Sequence, residues 1–284
     1  MKHETFTWQG FENTPIFGQK WLPEAPQAVF VIVHGMGEHS GRFMRIVNHL
    51  VPKSYAVLAY DQRGHGQTAG KRGHTPSYQH LLEDLNLFLD YDRQAFPGIP
   101  IFLYGHSMGA NVVLNFALQH SGKTKLAGVV ASSPWLKLAF EPPTIQVALG
   151  KLVSRLFPAF TQNTNLDATA ISQDLAAVEA YRNDPLVHDK ISATFFLQTY
   201  AAGQKALAEA ANLTLPLLIY HGTADRLTSP EGSKQFAQKA NPQHTTSQWF
   251  EGAFHELHNE TETFYRPALQ LLDSWLSKQM AAIQ

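Results

Sequence analysis

The hydrophobic pattern of this chain switches repeatedly between two periods. Six stretches read as strands: "AVFVIVHG" (28–35), "YAVLAYDQ" (55–62), "IPIFLYGHS" (99–107), "LAGVVASSP" (126–134), "LPLLIYHGTAD" (215–225) and "TSQWFEGAFH" (246–255). Most are apolar on both faces and end in small or polar residues, the habit of parallel sheets covered on both sides. Two earlier stretches, "ETFTWQ" and "PIFGQKWL", alternate in part and read as an antiparallel hairpin at a sheet edge. Helical patterns lie between the strands. "SGRFMRIVNHL" separates the first two, "YQHLLEDLNLFLDYDRQAF" precedes the third, and "GANVVLNFALQHS" follows it with Val112, Val113, Phe116 and Ala117 at helical spacing. The last helix, "PALQLLDSWLSKQ", is predicted to start at Pro267, a residue well tolerated in a first helical turn. Alternating β and α elements predict a doubly wound, mostly parallel open sheet of about eight strands.

One stretch breaks the alternation. Residues 135–205 carry helical text and no buried strand. "TIQVALGKLVSRLF" (144–157) is amphipathic, with Ile145, Leu149, Leu152 and Leu156 on one stripe. "SQDLAAVEAYRNDPLVHDK" follows, and then "ISATFFLQTYAAGQKALAEAAN". About 80 residues between successive strands exceed an ordinary connection. The expectation is a helical lid at 135–205, inserted into a core made of 1–134 and 206–284. The third helical segment is then partly lid and partly return to the core. An elongated crossover is the plainer alternative. Phe140, Ile145, Leu149, Leu152, Leu156 and Phe157 either offer an apolar face to lipid, as interfacial helices do, or pack down on the core.

Composition narrows the function classes. At 284 residues, 44% apolar and 16% charged, the chain suits one large domain, or one with an inserted lobe, around a substantial core. Lys plus Arg is 22 against 23 for Asp plus Glu, and this balance recruits no nucleic acid. The short basic pair Lys71-Arg72 reads as a solvated loop. There are no cysteines, which excludes disulfides and thiolate metal sites. The opening "MKHETFTWQGFENTPIFG" is too polar for a signal peptide, and no apolar run approaches the ~18 residues that span a bilayer. The expected location is cytoplasmic, with any membrane contact peripheral and made through the lid.

In open parallel sheets, ligands bind beyond the carboxyl ends of the strands. At those ends stand His34-Gly35-Met36-Gly37-Glu38, Asp61-Gln62-Arg63-Gly64-His65-Gly66, His106-Ser107-Met108, His221-Gly222-Thr223-Ala224-Asp225 and Phe254-His255-Glu256. Gly105-His106-Ser107-Met108-Gly109 falls where a buried strand hands over to a helix. That is where a nucleophile elbow places a serine on strained backbone, with glycines removing side chains that would collide across the turn. A serine hydroxyl needs a base to take its proton and an acid to orient the base. Ser107, Asp225 and His255 occur in the chain order of an α/β-hydrolase triad. Asp225 leads for the acid over Asp184 and Asp189, which fall in the lid. His255 leads for the base over His258, three residues on. Acyl transfer also requires donors to an oxyanion. The Met108 N–H follows the nucleophile, and the second donor is expected from the first parallel loop, Met36 ahead of Gly37.

Together "HGMGEHSGRF", "DQRGHGQT", "GHSMGA", "RNDPLVHDKIS", "HGTADRLTSP" and "EGAFHELHNE" resemble the monoacylglycerol lipase and lysophospholipase group of α/β-hydrolases, over roughly residues 28–260. The resemblance implies the triad Ser107, Asp225 and His255, an oxyanion hole at Met36 and Met108, and a helical lid over an apolar tunnel for one acyl chain. It places Glu38, Arg42 and His258 near the glycerol end of a small-molecule lipid ester, and implies no cofactor and no metal. The implied reaction is hydrolysis of monoacylglycerol-like esters to fatty acid and glycerol, with lysophospholipase, carboxylesterase or thioesterase activity as the alternatives. Two letters depart from the group. Ala110 stands where many members carry a third glycine, and Met36 where some carry alanine.

Three rival readings fit less well. The run Gly35-Met36-Gly37-Glu38-His39-Ser40-Gly41, followed by a strand ending in Asp61, approaches a dinucleotide fingerprint, but its third glycine is one position late. In "HELHNE" the histidines are three apart, where zincins need four. A non-catalytic binding protein on this fold would be expected to have a degraded triad, and this one reads as whole.

Overall fold

The computed structural model describes residues 1–120, 125–140 and 144–283, with side chains from 148 onward in the last stretch. The chain opens with the antiparallel hairpin β1 (Lys2–Gln9) and β2 (Pro15–Leu22). There follow β3 (Ala28–Val33), α1 (Met44–Leu50), β4 (Tyr55–Tyr60), α2 (Tyr78–Ala95), β5 (Ile101–His106), α3 (Met108–Gln119) and β6 (Leu126–Ser132). The insertion carries α4 (Thr144–Leu156), β7 (Thr161–Asn163), α5 (Leu175–Asn183) and β8 (Lys190–Ser192). Then come α6 (Ala193–Glu209), β9 (Leu217–Gly222), α7 (Pro230–Lys239), β10 (Thr245–Phe250) and α8 (Glu262–Ile283). The main sheet has the order β1-β2-β4-β3-β5-β6-β9-β10. Pairing is parallel from β4 through β10 and antiparallel at the β1-β2-β4 edge.

Strand alternation divides the core in two. On β3, Val29, Val31 and Val33 enter one apolar cluster, while Ala28, Phe30 and Ile32 enter the other. β5 does the same with Leu103 against Phe102 and Tyr104. The first cluster is closed by α2, α3 and α6, through side chains such as Phe88, Phe116 and Phe195. The second is closed by α1 and α8, through Ile46, Val47, Leu272 and Trp275. A period-2 strand with helices on both faces buries every residue, which is why these strands read as continuous apolar runs.

Two expectations are corrected. The last helix starts at Glu262, not at Pro267. Its first turn is set by Thr261, whose carbonyl accepts from the N–H groups of Phe264 and Tyr265. Pro267 therefore sits inside the helix, on its exposed side, where water can serve the carbonyl that loses its partner. The insertion is also not purely helical. β7 and β8 pair antiparallel, Thr161 opposite Ser192, as a separate two-stranded sheet. Three residues are too few to show an alternation of period two.

The third helical segment forms α6. Its Phe195, Ala206 and Leu207 are buried in the same cluster as α3 and β5. α4 differs: Leu149, Leu152 and Leu156, with Phe140, Phe157 and Phe160 beside it in sequence, are each more than half exposed. The side chain of Ile145 lies outside the described residues. Among the described residues, no helix is long and apolar enough to cross a membrane.

The turn from β5 into α3 is a tight junction. Ser107 has φ 54° and ψ −117°, a left-handed φ that L-residues adopt only under constraint. A Cβ at Gly109 would stand 2.0 Å from Val33 O and 2.5 Å from His34 O. A Cβ at Gly105 would stand 2.5 Å from Ala110 Cα. Ala110 itself is fully buried in the first cluster, so the departure at this position adds packing to the first turn of α3. Because the obstacles at Gly109 are backbone atoms, Gly109→Ala is expected to destabilise the fold by about 2 kcal/mol or more, the usual scale of overpacking. Denaturant melts read this directly, and an unchanged midpoint would contradict the close approach.

Candidate active site

The site grows from the carboxyl ends of β3, β5, β9 and β10. A cavity of about 460 Å³ opens there, within the usual range for small-ligand sites. Ser107 and His255 both line it. So do Gly35, Met36, Glu38 and Glu256, while much of the remaining wall is apolar: Trp135, Leu138, Ile171, Phe196, Leu197 and Leu227.

Asp225 lies in the turn after β9, and its carboxylate is fully enclosed. Oδ1 accepts from the backbone N–H of Leu227 at 2.7 Å and of Thr228 at 3.1 Å. Oδ2 receives His255 Nδ1 at 2.6 Å, His221 Nε2 at 2.9 Å and the Thr228 hydroxyl at 3.0 Å. Burial works to raise the pKa of Asp225, but His255 and the hydrogen bonds from His221 and His255 outweigh it and hold the carboxyl well below the usual range. An ionised acceptor fixes the tautomer of His255: Nδ1 carries the proton and Nε2 is the lone-pair nitrogen. Burial acts to lower the pKa of His255, yet the adjacent Asp225 charge prevails and raises it. Ser133, at φ 44°, anchors the same residue from behind by donating its hydroxyl to His255 O at 2.8 Å. Among the described residues the Ser107 hydroxyl makes no hydrogen bond. Such contacts often tighten only when substrate is bound.

The loop after β3 is stitched by its own polar residues. Gly35 N–H donates to Glu38 Oε1 at 2.6 Å. His34 Nε2 accepts from Gln62 N–H at 2.9 Å, so His34 Nδ1 carries a proton and donates to Gly35 O at 2.7 Å. Burial pushes the pKa of His34 down to about 4, which keeps this neutral tautomer in place. Gly37 takes φ 77°, a conformation that favours glycine. Met36 and Met108 flank Ser107 from the two loops, Met108 as the first residue of α3, where backbone N–H groups lack helical partners.

Glu38 and Arg42 belong to a buried ionic cluster. Arg42 grips Glu256 with two parallel bonds, Nη1 to Oε1 at 2.6 Å and Nη2 to Oε2 at 2.7 Å, and also reaches Glu38 Oε2 at 2.8 Å. The Tyr181 ring lies 4.7 Å from the guanidinium, and Asn259 donates to Glu256 Oε2 at 2.9 Å. Burial would raise both acids. Arg42 overrides it at Glu256, held down to about 2, but not at Glu38, pushed up to about 7. Glu38 is thus the carboxyl of this cluster that burial leaves harder to ionise. Arg42 and His258 are not among the cavity-lining residues. His258 stacks on Phe43 with centroids 4.6 Å apart, and burial lowers its pKa to about 3.

The other carboxylates lie elsewhere. Asp184 pairs with His39 at 2.8 Å, and Asp189 is exposed. Asp61 is consumed internally, accepting from the backbone and hydroxyl of Ser40 and from Gln67 N–H, so it is not free to bind a ribose. His221, Thr228, Ser133, Glu256 and Tyr181 escaped the sequence reading as site residues. His221 stood in plain view four residues before Asp225. Glu256 had no local signal, because its partner Arg42 is 214 residues away.

Comparison with known proteins places this geometry. The chain is 32% identical to the monoglyceride lipase of Mus musculus over 94% of this chain and 88% of that protein. It is 34% identical over 84% of its length to an abhydrolase domain-containing protein of Dictyostelium discoideum, but spans only 25% of that longer chain. The crystal structure of Paleococcus ferrophilus monoacylglycerol lipase superposes with a TM-score of 0.82 at 34% identity, covering 92% of this chain and 99% of that one. The family model described as serine aminopeptidase, S33 (Hydrolase_4) matches residues 24–262, and the chain belongs to this family of serine hydrolases with the α/β-hydrolase fold.

Proposed function

We propose that this protein is a serine carboxylic-ester hydrolase that cleaves monoacylglycerol-like esters to a fatty acid and glycerol through an acyl-enzyme. The observation that carries the reading is the short His255–Asp225 bond beside a largely apolar cavity that Ser107 also lines. Lipases in mouse and in Paleococcus ferrophilus are relatives of comparable length. In this reading Ser107 Oγ attacks the ester carbonyl carbon while His255 Nε2 takes its proton. The carbonyl electron pair moves onto oxygen, and the N–H groups of Met36 and Met108 hold that oxyanion. The carbon–oxygen bond to the alcohol breaks, and His255 returns the proton to the departing glycerol. Water, deprotonated by His255, then releases the fatty acid and restores Ser107. Glu38 faces the glycerol hydroxyls directly, held from behind the wall by Arg42, while His258, stacked on Phe43, lies outside the cavity.

The substrate class is tested by hydrolysis rates across monoacylglycerols of increasing chain length, against di- and triacylglycerols, lysophospholipids, acyl thioesters and an aminoacyl amide. Single-chain glycerol esters are expected to lead, and Ser107→Ala to lower their turnover by about 10⁴-fold or more with the fold intact. A faster diacyl or aminoacyl substrate would refute the assignment.

The base must be neutral to act. With the pKa of His255 raised, the acid limb of kcat/KM is expected to have its midpoint above 6.5, activity being lost as pH falls through it. Asp225→Asn removes the charge that raises it, so the midpoint should move down while the plateau rate drops about 10³-fold or more. An unmoved midpoint would show that another group titrates.

The insertion supplies the lid of this reading and its membrane contact. α4 carries Lys151 and Arg155 next to its exposed leucines, a pairing suited to an anionic lipid surface. Burying an exposed Leu or Phe contributes about 1.5–3 kcal/mol. Leu152→Ser with Phe157→Ser is therefore expected to weaken binding to anionic liposomes at least about tenfold, and to leave hydrolysis of a short soluble ester unchanged. Equal sedimentation with liposomes would remove α4 from the membrane contact.

A further inference from the structure

The segment 184–192, between α5 and α6, crosses the core loop after β3, which flanks Ser107, and the core loop after β4. It is tied to the loop after β3 at two points. His188 N–H donates to Gly37 O at 2.9 Å, and His39 Nε2 donates to Asp184 Oδ2 at 2.8 Å. A Cβ at Gly37 would stand 2.4 Å from His188 O, so the two backbones are in direct contact. The segment is tied to the loop after β4 as well. The His188 ring lies with Nε2 3.0 Å from Gly64 O, and Ser192 N–H donates to Gly73 O at 2.8 Å. Lys190 N–H donates to His188 Nδ1 at 3.2 Å, which leaves Nε2 as the protonated nitrogen that donates to Gly64. Gly73, at φ 69°, packs against the backbone of Lys190.

These contacts divide the support of one peptide turn. The core holds it at Gly35, through Glu38 on the N–H and His34 on the carbonyl. The inserted segment holds it at Gly37. Met36 lies between the two anchors. We propose that His188 is a positioning residue for acyl transfer: its ring fixes the strap 184–192 to Gly64, and the strap pins Gly37 so that the Met36 N–H stays aimed at the oxyanion. This rests on the esterase reading above. A donor that drifts by about 1 Å stabilises the transition state less while leaving the bound ester unaffected, and such drift costs up to about 10²-fold in rate.

The test measures kcat, KM and two inhibition constants for wild type, His188→Ala, His188→Gln and Asp184→Ala. One inhibitor is an alkyl boronic acid. Ser107 Oγ adds to its boron, the serine proton passes to His255, and a tetrahedral boronate oxygen occupies the oxyanion position. The other is the fatty-acid product, which makes no tetrahedral adduct. His188→Ala is expected to lower kcat about tenfold or more, with KM and product inhibition held, and to weaken the boronic acid by the same factor. His188→Gln, which can return an N–H toward Gly64 O, should restore most of both. Asp184→Ala loosens the strap from its other end and should shift the same two constants in the same direction, which keeps the test open if His188→Ala folds poorly. An unchanged boronic-acid constant in both loosened variants of an active enzyme overturns the strap alone, as does a loss shared equally by KM and product binding. A wild type that neither hydrolyses esters nor binds the boronic acid overturns the strap together with the esterase reading.

Discussion

The site depends on how closely α3 approaches the end of β3. Gly109 lies so near Val33 O that no side chain fits between them, and the turn that delivers this approach forces Ser107 into a left-handed φ. A helix can begin this close to a strand only if the intervening residue absorbs the change of direction. That residue is the serine, so its position is set by its backbone, whose N–H donates to Ser132 O at 3.0 Å and whose carbonyl accepts from Trp135 N–H at 3.0 Å, rather than by its hydroxyl. The same approach brings the first N–H of α3 beside the loop after β3, where Gly35 has its own Cβ position 3.1 Å from Ser107 Cβ. The proposed nucleophile and the proposed oxyanion donors would thus be products of one packing constraint.

Two buried ionic groups flank that constraint, and they are built differently. Around Asp225 one carboxylate serves two histidines, a hydroxyl and two backbone N–H groups, so the negative charge is fully compensated and stays ionised. Around Arg42 one guanidinium serves two carboxylates, and the second is left short of positive charge. Burying such groups gives little net stability, because the cost of removing charge from water offsets most of the attraction. What they supply is orientation. Asp225 fixes a tautomer, and the Arg42–Glu256 fork fixes Glu38 at the cavity wall.

Much of this was legible in the sequence, for a physical reason. A strand buried on both faces must be apolar throughout, so the polar residues at its end stand out, as Ser107 and Asp225 do after β5 and β9, whereas His255 was singled out only by following β10, a partly exposed edge strand. The parts that were not legible are those without local periodicity. β7 and β8 are three residues each, and they exist because the insertion folds back on itself. The start of α8 is set by the carbonyl of Thr261, which the hydrophobic pattern cannot reveal. Glu256 reads as one letter in a polar string until the fold brings Arg42 to it. His221 reads as one histidine among 14 until its Nε2 is seen on the oxygen that His255 shares.

The insertion has two mechanical parts. Residues 184–192 with α6 are bonded to core backbone and share its apolar cluster. α4 and the residues after it expose apolar side chains that the other described residues do not cover. An apolar surface left in water is a standing cost unless something else covers it. The two parts meet where α4 packs on α6 and where β7 pairs with β8 at the end of the strap, and β7 contributes Gln162 and Asn163 to the cavity wall. A displacement of α4 by lipid would therefore act first on the cavity wall. Because α4 also packs directly on α6, the displacement would reach the strap through that helix as well. On the proposed reading, the same insertion would respond to its surroundings at one end and hold the turn carrying Met36 at the other.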